Sequence, residues 1–249
     1  MPVAPSMFVG ETYKNNKGCI GKVVEYVNAR KVKIRFVDEH SFESFFEVSD
    51  IRKGTFSNPF HRSTLGLGYM GDGEFKAKDK GKTTIEYNLW SAMMTRSYCP
   101  NYHEKFPTYI GCSVAEGFLN YQDFAKWINL QPNFKEKGFV LDKDLLIRGN
   151  KVYSPETCCL IPQEINSYIA STKRKSLDYP VGVSKTLSNR YTASLHGKHL
   201  GTYDSIGEAF SAYKVVKEGK AKELAYKWKD QIDPRAYNAL MLWEVNIDE

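Results

Sequence analysis

Hydrophobic and polar residues alternate most regularly near the start of the chain, where Val32, Ile34 and Phe36 interleave with Lys31, Lys33 and Arg35. A period of two over six residues predicts a half-buried strand. Runs at 8–13, 21–27 and 41–48 read as its neighbours, separated by Asn-Asn-Lys-Gly, Asn-Ala-Arg and Asp-Glu-His turns. Together they predict a small, strongly bent antiparallel module over 1–57, an open sheet or a barrel. Its Lys/Arg row reads first as a solvated strand face and second as a contact for backbone phosphates.

The period then changes. Residues 58–82 are a Gly-rich connector, predicted to be a tight loop packing Tyr69 and Phe75 against a neighbour. From 86 to 97, Tyr87, Trp90, Met93, Met94 and Ser97 recur at helical spacing. A second helix is predicted from Asn120 as N-cap, with Asp123 at its third position and Phe124, Trp127 and Ile128 on one stripe. The apolar run Phe139-Val140-Leu141 ends on Asp142, and Gly149-Asn150 supplies turn chemistry, which predicts a hairpin over 139–153. Ser154-Pro155 reads as a helix start and Pro162 as a break, after which Gln163-Glu164-Ile165-Asn166 begins another short helix. Three short strands over 180–205 lead into a helix capped by Ser205 and Glu208, a capping box. Beyond 219, Leu224, Tyr226 and Trp228 suggest a basic helix, and Asp233-Pro234 starts one more. The predicted class is therefore α+β. It comprises a β module (1–57), a connector (58–82), a central domain (83–170), a basic linker (171–179), a sheet-plus-helix domain (180–218) and a helical extension (219–249).

Composition narrows the setting. With 249 residues, 42% hydrophobic and 14% aromatic, the chain can bury a real core. No apolar run approaches the ~18–20 residues that span a bilayer, and Met1-Pro2-Val3-Ala4-Pro5 has no basic segment followed by an apolar one. The expectation is a soluble protein with no membrane partner. Five cysteines, odd in number and without Cys-x-x-Cys spacing, argue against a disulfide framework and for a reducing cytoplasm. Residues 171–230 carry 12 Lys+Arg against 6 Asp+Glu, a local excess of +6 equal to that of the whole chain. Such a localised basic surface suits a polyanion, because each neutralised phosphate releases counterion.

Two signals are set aside. Gly66-x-Gly68-x-x-Gly71 matches a dinucleotide fingerprint only in spacing, since no buried strand precedes it and no helix start follows. Cys99, His103 and Cys112 fit no zinc spacing and have no evident fourth ligand.

The stretch Leu141-Asp142-Lys143-Asp144, with Gly149-Asn150-Lys151-Val152-Tyr153-Ser154-Pro155-Glu156-Thr157-Cys158, resembles the HNH (ββα-metal) nucleases, in particular their phage homing-endonuclease branch. Trp90, Arg96, Tyr98, Tyr109, Val114, Phe118, Phe124 and Trp127 precede it in the order of that pattern, so the similarity covers about 80–170. The resemblance implies a phage-encoded enzyme in a bacterial cytoplasm that hydrolyses DNA with one divalent cation, magnesium by expectation. It implies Asp142 as a metal ligand, with Thr157 or the nearby carboxylate of Asp144 completing the site, and Asn150 as an orienter of the finger. Two positions depart from the pattern. Lys143 stands where the general-base histidine usually falls, and Thr157 where a helix asparagine or histidine binds metal. Lys143 is then an unusual base or a phosphate clamp, and His103 is a candidate recruited by folding.

Pro180-Val181-Gly182-Val183, Arg190 to Leu195, Lys198 to Ser205 and Glu208-Ala209-x-x-Ala212-Tyr213 resemble the plant ethylene-response-factor DNA-binding domain. That resemblance implies double-stranded DNA as partner, with Lys185, Arg190, Tyr191, Lys198 and His199 on an open sheet face entering the major groove. Lys173, Arg174 and Lys175 either follow the backbone or form a flexible basic linker. The leading expectation is a site-specific endonuclease. The alternatives are a non-catalytic DNA-binding protein with a degenerate finger and, behind it, an RNA-binding interaction protein. Monomer and homodimer both remain open.

Overall fold

The computed structural model describes residues 7–170 and 178–247. The basic linker residues Lys173, Arg174 and Lys175 lie outside the described residues. The chain divides into two compact units, Met1–Tyr102 with Glu116–Ala125, and His103–Ala115 with Lys126–Glu249. The class is mixed α and β: eight α-helices and several small sheets among the described residues, none of the sheets closed into a barrel.

In the first unit, β1 (Thr12–Lys14), β2 (Ile20–Asn28), β3 (Lys31–Phe36) and β4 (Glu43–Phe46) form one antiparallel sheet in that order. Val32, Ile34 and Phe36 are fully buried, as their alternation predicts. The barrel alternative is corrected. β4 is only four residues long and runs directly into α1 (Val48–Lys53), whose Val48 and Ile51 cover the core in place of a closing strand. The outward cations are matched by acids, Arg35 Nε at 2.6 Å from Glu43 and Lys33 at 3.5 Å from Glu25.

The connector packs as expected and needs its glycines for contact. Tyr69 is buried, its N–H donating to Leu119 O and its carbonyl accepting from Tyr121 N. A Cβ on Gly68 would sit 2.9 Å from both Trp90 and Met94. A short hairpin, β5 (Lys78–Asp79) with β6 (Lys82–Thr83), leads into α2 (Ile85–Tyr98), capped by Thr84. Trp90 of α2 is fully buried and donates through Nε1 to Phe118 O at 2.7 Å. The helices α3 (Pro100–Lys105), α4 (Glu116–Leu119) and α5 (Tyr121–Asn129) follow. Asn120 caps α5 through Gln122 N, with its amide bound to Asp123.

The second unit departs from the predicted hairpin over 139–153. β8 (Phe139–Asp142) pairs antiparallel with β10 (Cys159–Pro162), whereas β9 (Val152–Tyr153) pairs in parallel with β7 (Ser113–Val114). No helix starts at Ser154. Residues 154–157 make a single turn, closed by Cys158 N to Ser154 O, and the buried run Cys158 to Ile161 continues as strand. Arg235 explains why the turn does not propagate. Its guanidinium takes the carbonyls of Pro155 and Glu156, which a helix would have bonded to residues 159 and 160, and that of Cys158, whose helical donor position is Pro162 and has no N–H. The first helix after the loop is α6 (Gln163–Ala170).

Three antiparallel strands, β11 (Val183–Lys185), β12 (Tyr191–Leu195) and β13 (Lys198–Tyr203), precede α7 (Ile206–Trp228), and α8 (Pro234–Met241) follows. The Ser205/Glu208 capping box forms as predicted, and Asp233 caps α8. α7 is 23 residues long and runs unbroken past residue 218. Its first half packs Ala209, Phe210 and Tyr213 on the three-stranded sheet; its second half packs Ala221, Leu224 and Ala225 on β10, α6 and α8. No helix among the described residues is long and apolar enough to cross a membrane.

Gly219 lies near the middle of α7, where an added Cβ meets open space. Gly219→Ala is expected to stabilise the protein by about 0.5–1 kcal/mol, the helix-interior cost of glycine. A higher urea midpoint at unchanged slope is the measurement.

Candidate active site

Asp142 ends β8 and is 9% exposed. Its Oδ1 accepts from the backbone N–H of Asp144 at 2.9 Å and of Leu145 at 2.7 Å, so the carboxylate organises the loop that follows it. Burial pushes the Asp142 carboxyl above the usual carboxylate range, against the opposing pull of those two N–H groups.

The loop from 143 to 152 is closed by Asn150. Its amide nitrogen donates to Lys143 O and Val152 O, and its Oδ1 accepts from Val152 N. Asn150 thus fastens the loop through backbone contacts. Lys143 is buried, and its ammonium donates to Asp144 Oδ1 at 2.6 Å and to Asn150 O at 2.8 Å. It acts as an internal tether and partly neutralises Asp144.

An open pocket of about 250 Å³ lies beside this loop, lined by Asp142, Asp144, Leu145, Arg148, Asn166, Ile169 and Trp243 among others. Asn166 reaches it from α6, and its amide has no hydrogen-bond partner among the described residues. Arg148 donates to Glu244 O at 3.0 Å, which brings the tail bearing Trp243 to the rim. Two carboxylates and an amide oxygen form a hard oxygen-donor set. Among the described residues no group of three or more His, Cys, Asp or Glu could hold a metal.

Thr157 and His103 do not line this pocket. Thr157 is consumed by its own turn: its hydroxyl donates to Val152 O at 2.6 Å, accepts from Ser154 N, and its N–H donates to Ser154 Oγ. The side chain on a helix near Asp142 is Asn166, because no helix forms at Ser154 while the one expected from Gln163 does. The missed signal was the buried run Cys158-Cys159-Leu160-Ile161, a strand pattern set between Ser154-Pro155 and Gln163. His103 lies on α3, partly buried. Cysteine chemistry beside the site is suppressed, since burial pushes the Cys158 thiol up to about 12.

The three-stranded sheet divides the other predicted residues between its two faces. Tyr191 packs toward α7 against Tyr179, with ring centroids 6.1 Å apart, which corrects its assignment to the open face. By strand register Lys185 and Lys198 share the parity of Tyr191 and Leu195, although both are exposed. The opposite parity brings together Ser184, Thr192, Ser194, His199 and Thr202, a hydroxyl-rich surface. Arg190 lies at its edge, with Nε at 2.6 Å from Asp204 Oδ1 and a second nitrogen donating to Thr202 O.

Two outcomes test the site. Asn166→Ala is expected to weaken Mn²⁺ binding at least tenfold, while Thr157→Ala leaves it unchanged, as read by titration of the ion's paramagnetic signal. Asp142→Asn keeps an acceptor for the two N–H groups but removes the cost of a buried charge. A carboxyl raised in the folded state subtracts stability above its folded pKa and nothing below its unfolded one. Asp142→Asn is therefore expected to melt higher than the parent at pH 7, with the gain fading as pH falls through the raised folded pKa and gone below about 4, while metal binding is lost.

Compared with known proteins, the chain matches no family model, no curated protein and no solved structure.

Proposed function

We propose that the protein is a site-specific DNA endonuclease in which one divalent cation is held by Asp142, Asp144 and Asn166. The observation that carries this reading is the convergence of a buried strand-end carboxylate, a second carboxylate and a helix amide on one open pocket. The donor set fits magnesium, which favours few protein oxygens and keeps several waters. Bound there, the ion would supply Lewis-acid charge against the negative charge developing on a phosphodiester.

The chain's own residues contribute the rest. The Asx turn at Asp142 fixes its carboxylate before any ligand arrives. Lys143 offsets the charge of Asp144, so two carboxylates can share a small pocket without an unbalanced double negative charge. Arg148 at the rim suits a phosphate of the approaching strand. The open face of the three-stranded sheet, with its hydroxyls, His199 and edge Arg190, suits a groove of double-stranded DNA, and the basic excess of 171–230 supports binding to phosphates.

A second reading is a DNA-binding protein whose finger no longer cuts. It is favoured by Lys143, which stands where the resemblance calls for a base histidine and is fastened to Asp144 and Asn150. Purified protein and Asp142→Ala, incubated with mixed phage and host DNA in magnesium or chelator, decide between them. Discrete ends that need both magnesium and Asp142 are expected, with a loss of at least 1,000-fold in the variant. DNA binding without scission in every condition selects the second reading.

A further inference from the structure

The three-stranded sheet and the Asp142 pocket share one helix. α7, at about 1.5 Å per residue, is about 34 Å long. Phe210 and Tyr213 of its first half are buried on the sheet side, and Leu224 and Ala225 of its second half are buried against β10 and α6. Neither half has a solvated stretch that could act as a joint at its packed face.

The midpoint is locked by an unusual pair. Lys217 is 0% exposed, and its ammonium donates to Tyr168 O at 2.9 Å while lying 4.0 Å from the centre of the Tyr168 ring. The Tyr168 hydroxyl returns a hydrogen bond to Lys217 O at 2.9 Å. Tyr168 O belongs to the last turn of α6, the end of a helix where a cation is favoured. The same tyrosine stacks on His196, at the turn between β12 and β13, with centroids 5.8 Å apart. One side chain thus touches the helix that carries Asn166, the long helix and the tip of the sheet.

The tail provides a second tie. Val245 is buried in the sheet's core, its N–H donating to Glu218 and its carbonyl accepting from Lys214, both on α7. Two residues earlier, Trp243 lines the pocket.

We infer that α7, locked by Lys217 and Tyr168, is a strut that holds the sheet and the Asp142 pocket at one fixed separation, so that the pocket acts at a constant offset along the duplex gripped by the sheet. The inference rests on reading the pocket as a nuclease centre and the sheet as its DNA contact. Recognition and scission would then lie within about one helical turn of duplex, the scale of 34–36 Å, and the connection through 171–179 would not set their spacing. Lys217 is a positioning residue here; it acts through α6.

The test uses the full chain with Cys19 and Cys99 changed to serine and spin labels at Leu187→Cys, in the loop between β11 and β12, and at Glu156→Cys, in the turn beside β10. Electron–electron double resonance is expected to give one narrow distance, unchanged by DNA, and Lys217→Met should widen the distribution at least twofold. Should Lys217→Met fail to fold, Tyr168→Phe, which removes only the hydroxyl's bond to Lys217 O, serves in its place. In parallel, cleavage ends are mapped to the nucleotide. A narrow distance with ends confined to one or two adjacent phosphates supports the strut. A broad or two-peaked distance in the unsubstituted background overturns it, as does a narrow distance with ends scattered over several positions. A narrow distance that widens in Lys217→Met, with no scission in any metal, upholds the strut and removes the endonuclease reading instead.

Discussion

A carboxylate is held almost out of water at the end of β8, and the candidate site is organised around that constraint. An ionised group removed from solvent is costly unless it is fully engaged. Asp142 meets the condition by accepting two successive backbone N–H groups, which bends the chain into the 143–152 loop. The bend brings Lys143 to Asp144 and Asn150, and Asn150 closes the loop on its own backbone. Burial still raises the carboxyl above the usual range, so the loop keeps a group that would gain from a cation. Stability is given up at the point where binding is expected, as is common for functional residues.

The surroundings make that arrangement rigid from several directions. β8 and β10 pair through four registered residues, with Asp142 opposite Cys159. α6, α7 and α8 bury a common core beneath them. Lys217 in the interior is held by the Tyr168 carbonyl at the end of α6, although burial brings its amine down to about 8. In the other unit, Trp90 plays the corresponding part for the connector, its ring pressed against Gly68 and its N–H spent on Phe118 O.

Much of this was legible in the sequence where local chemistry and burial agree. Val32, Ile34 and Phe36 face inward as their period requires, and Ser205, Glu208, Asn120 and Asp233 cap the helices they precede. Asn150 closes on the carbonyl of Lys143, the residue after Asp142. The sequence misled where a distant partner decides. Ser154-Pro155 has the chemistry of a helix start, but Arg235 claims the carbonyls, so the chain turns once and resumes as strand. With no helix at 154, Thr157 stays in its turn and the helix side chain at the Asp142 pocket is Asn166. Tyr191 was misplaced for a different reason: alternation predicts two faces of a strand but not which one the helix covers, and an aromatic ring at that position goes to the core.

Arg235 also sets an order of events during synthesis. It braces Pro155 from 80 residues downstream, and a ribosome adding about 5–20 residues per second reaches it about 4–16 s after the turn has been made. Until α8 emerges and docks, the carbonyls of 155, 156 and 158 lack this brace. A turn braced from that distance is secured only after the strands on either side of it have been made.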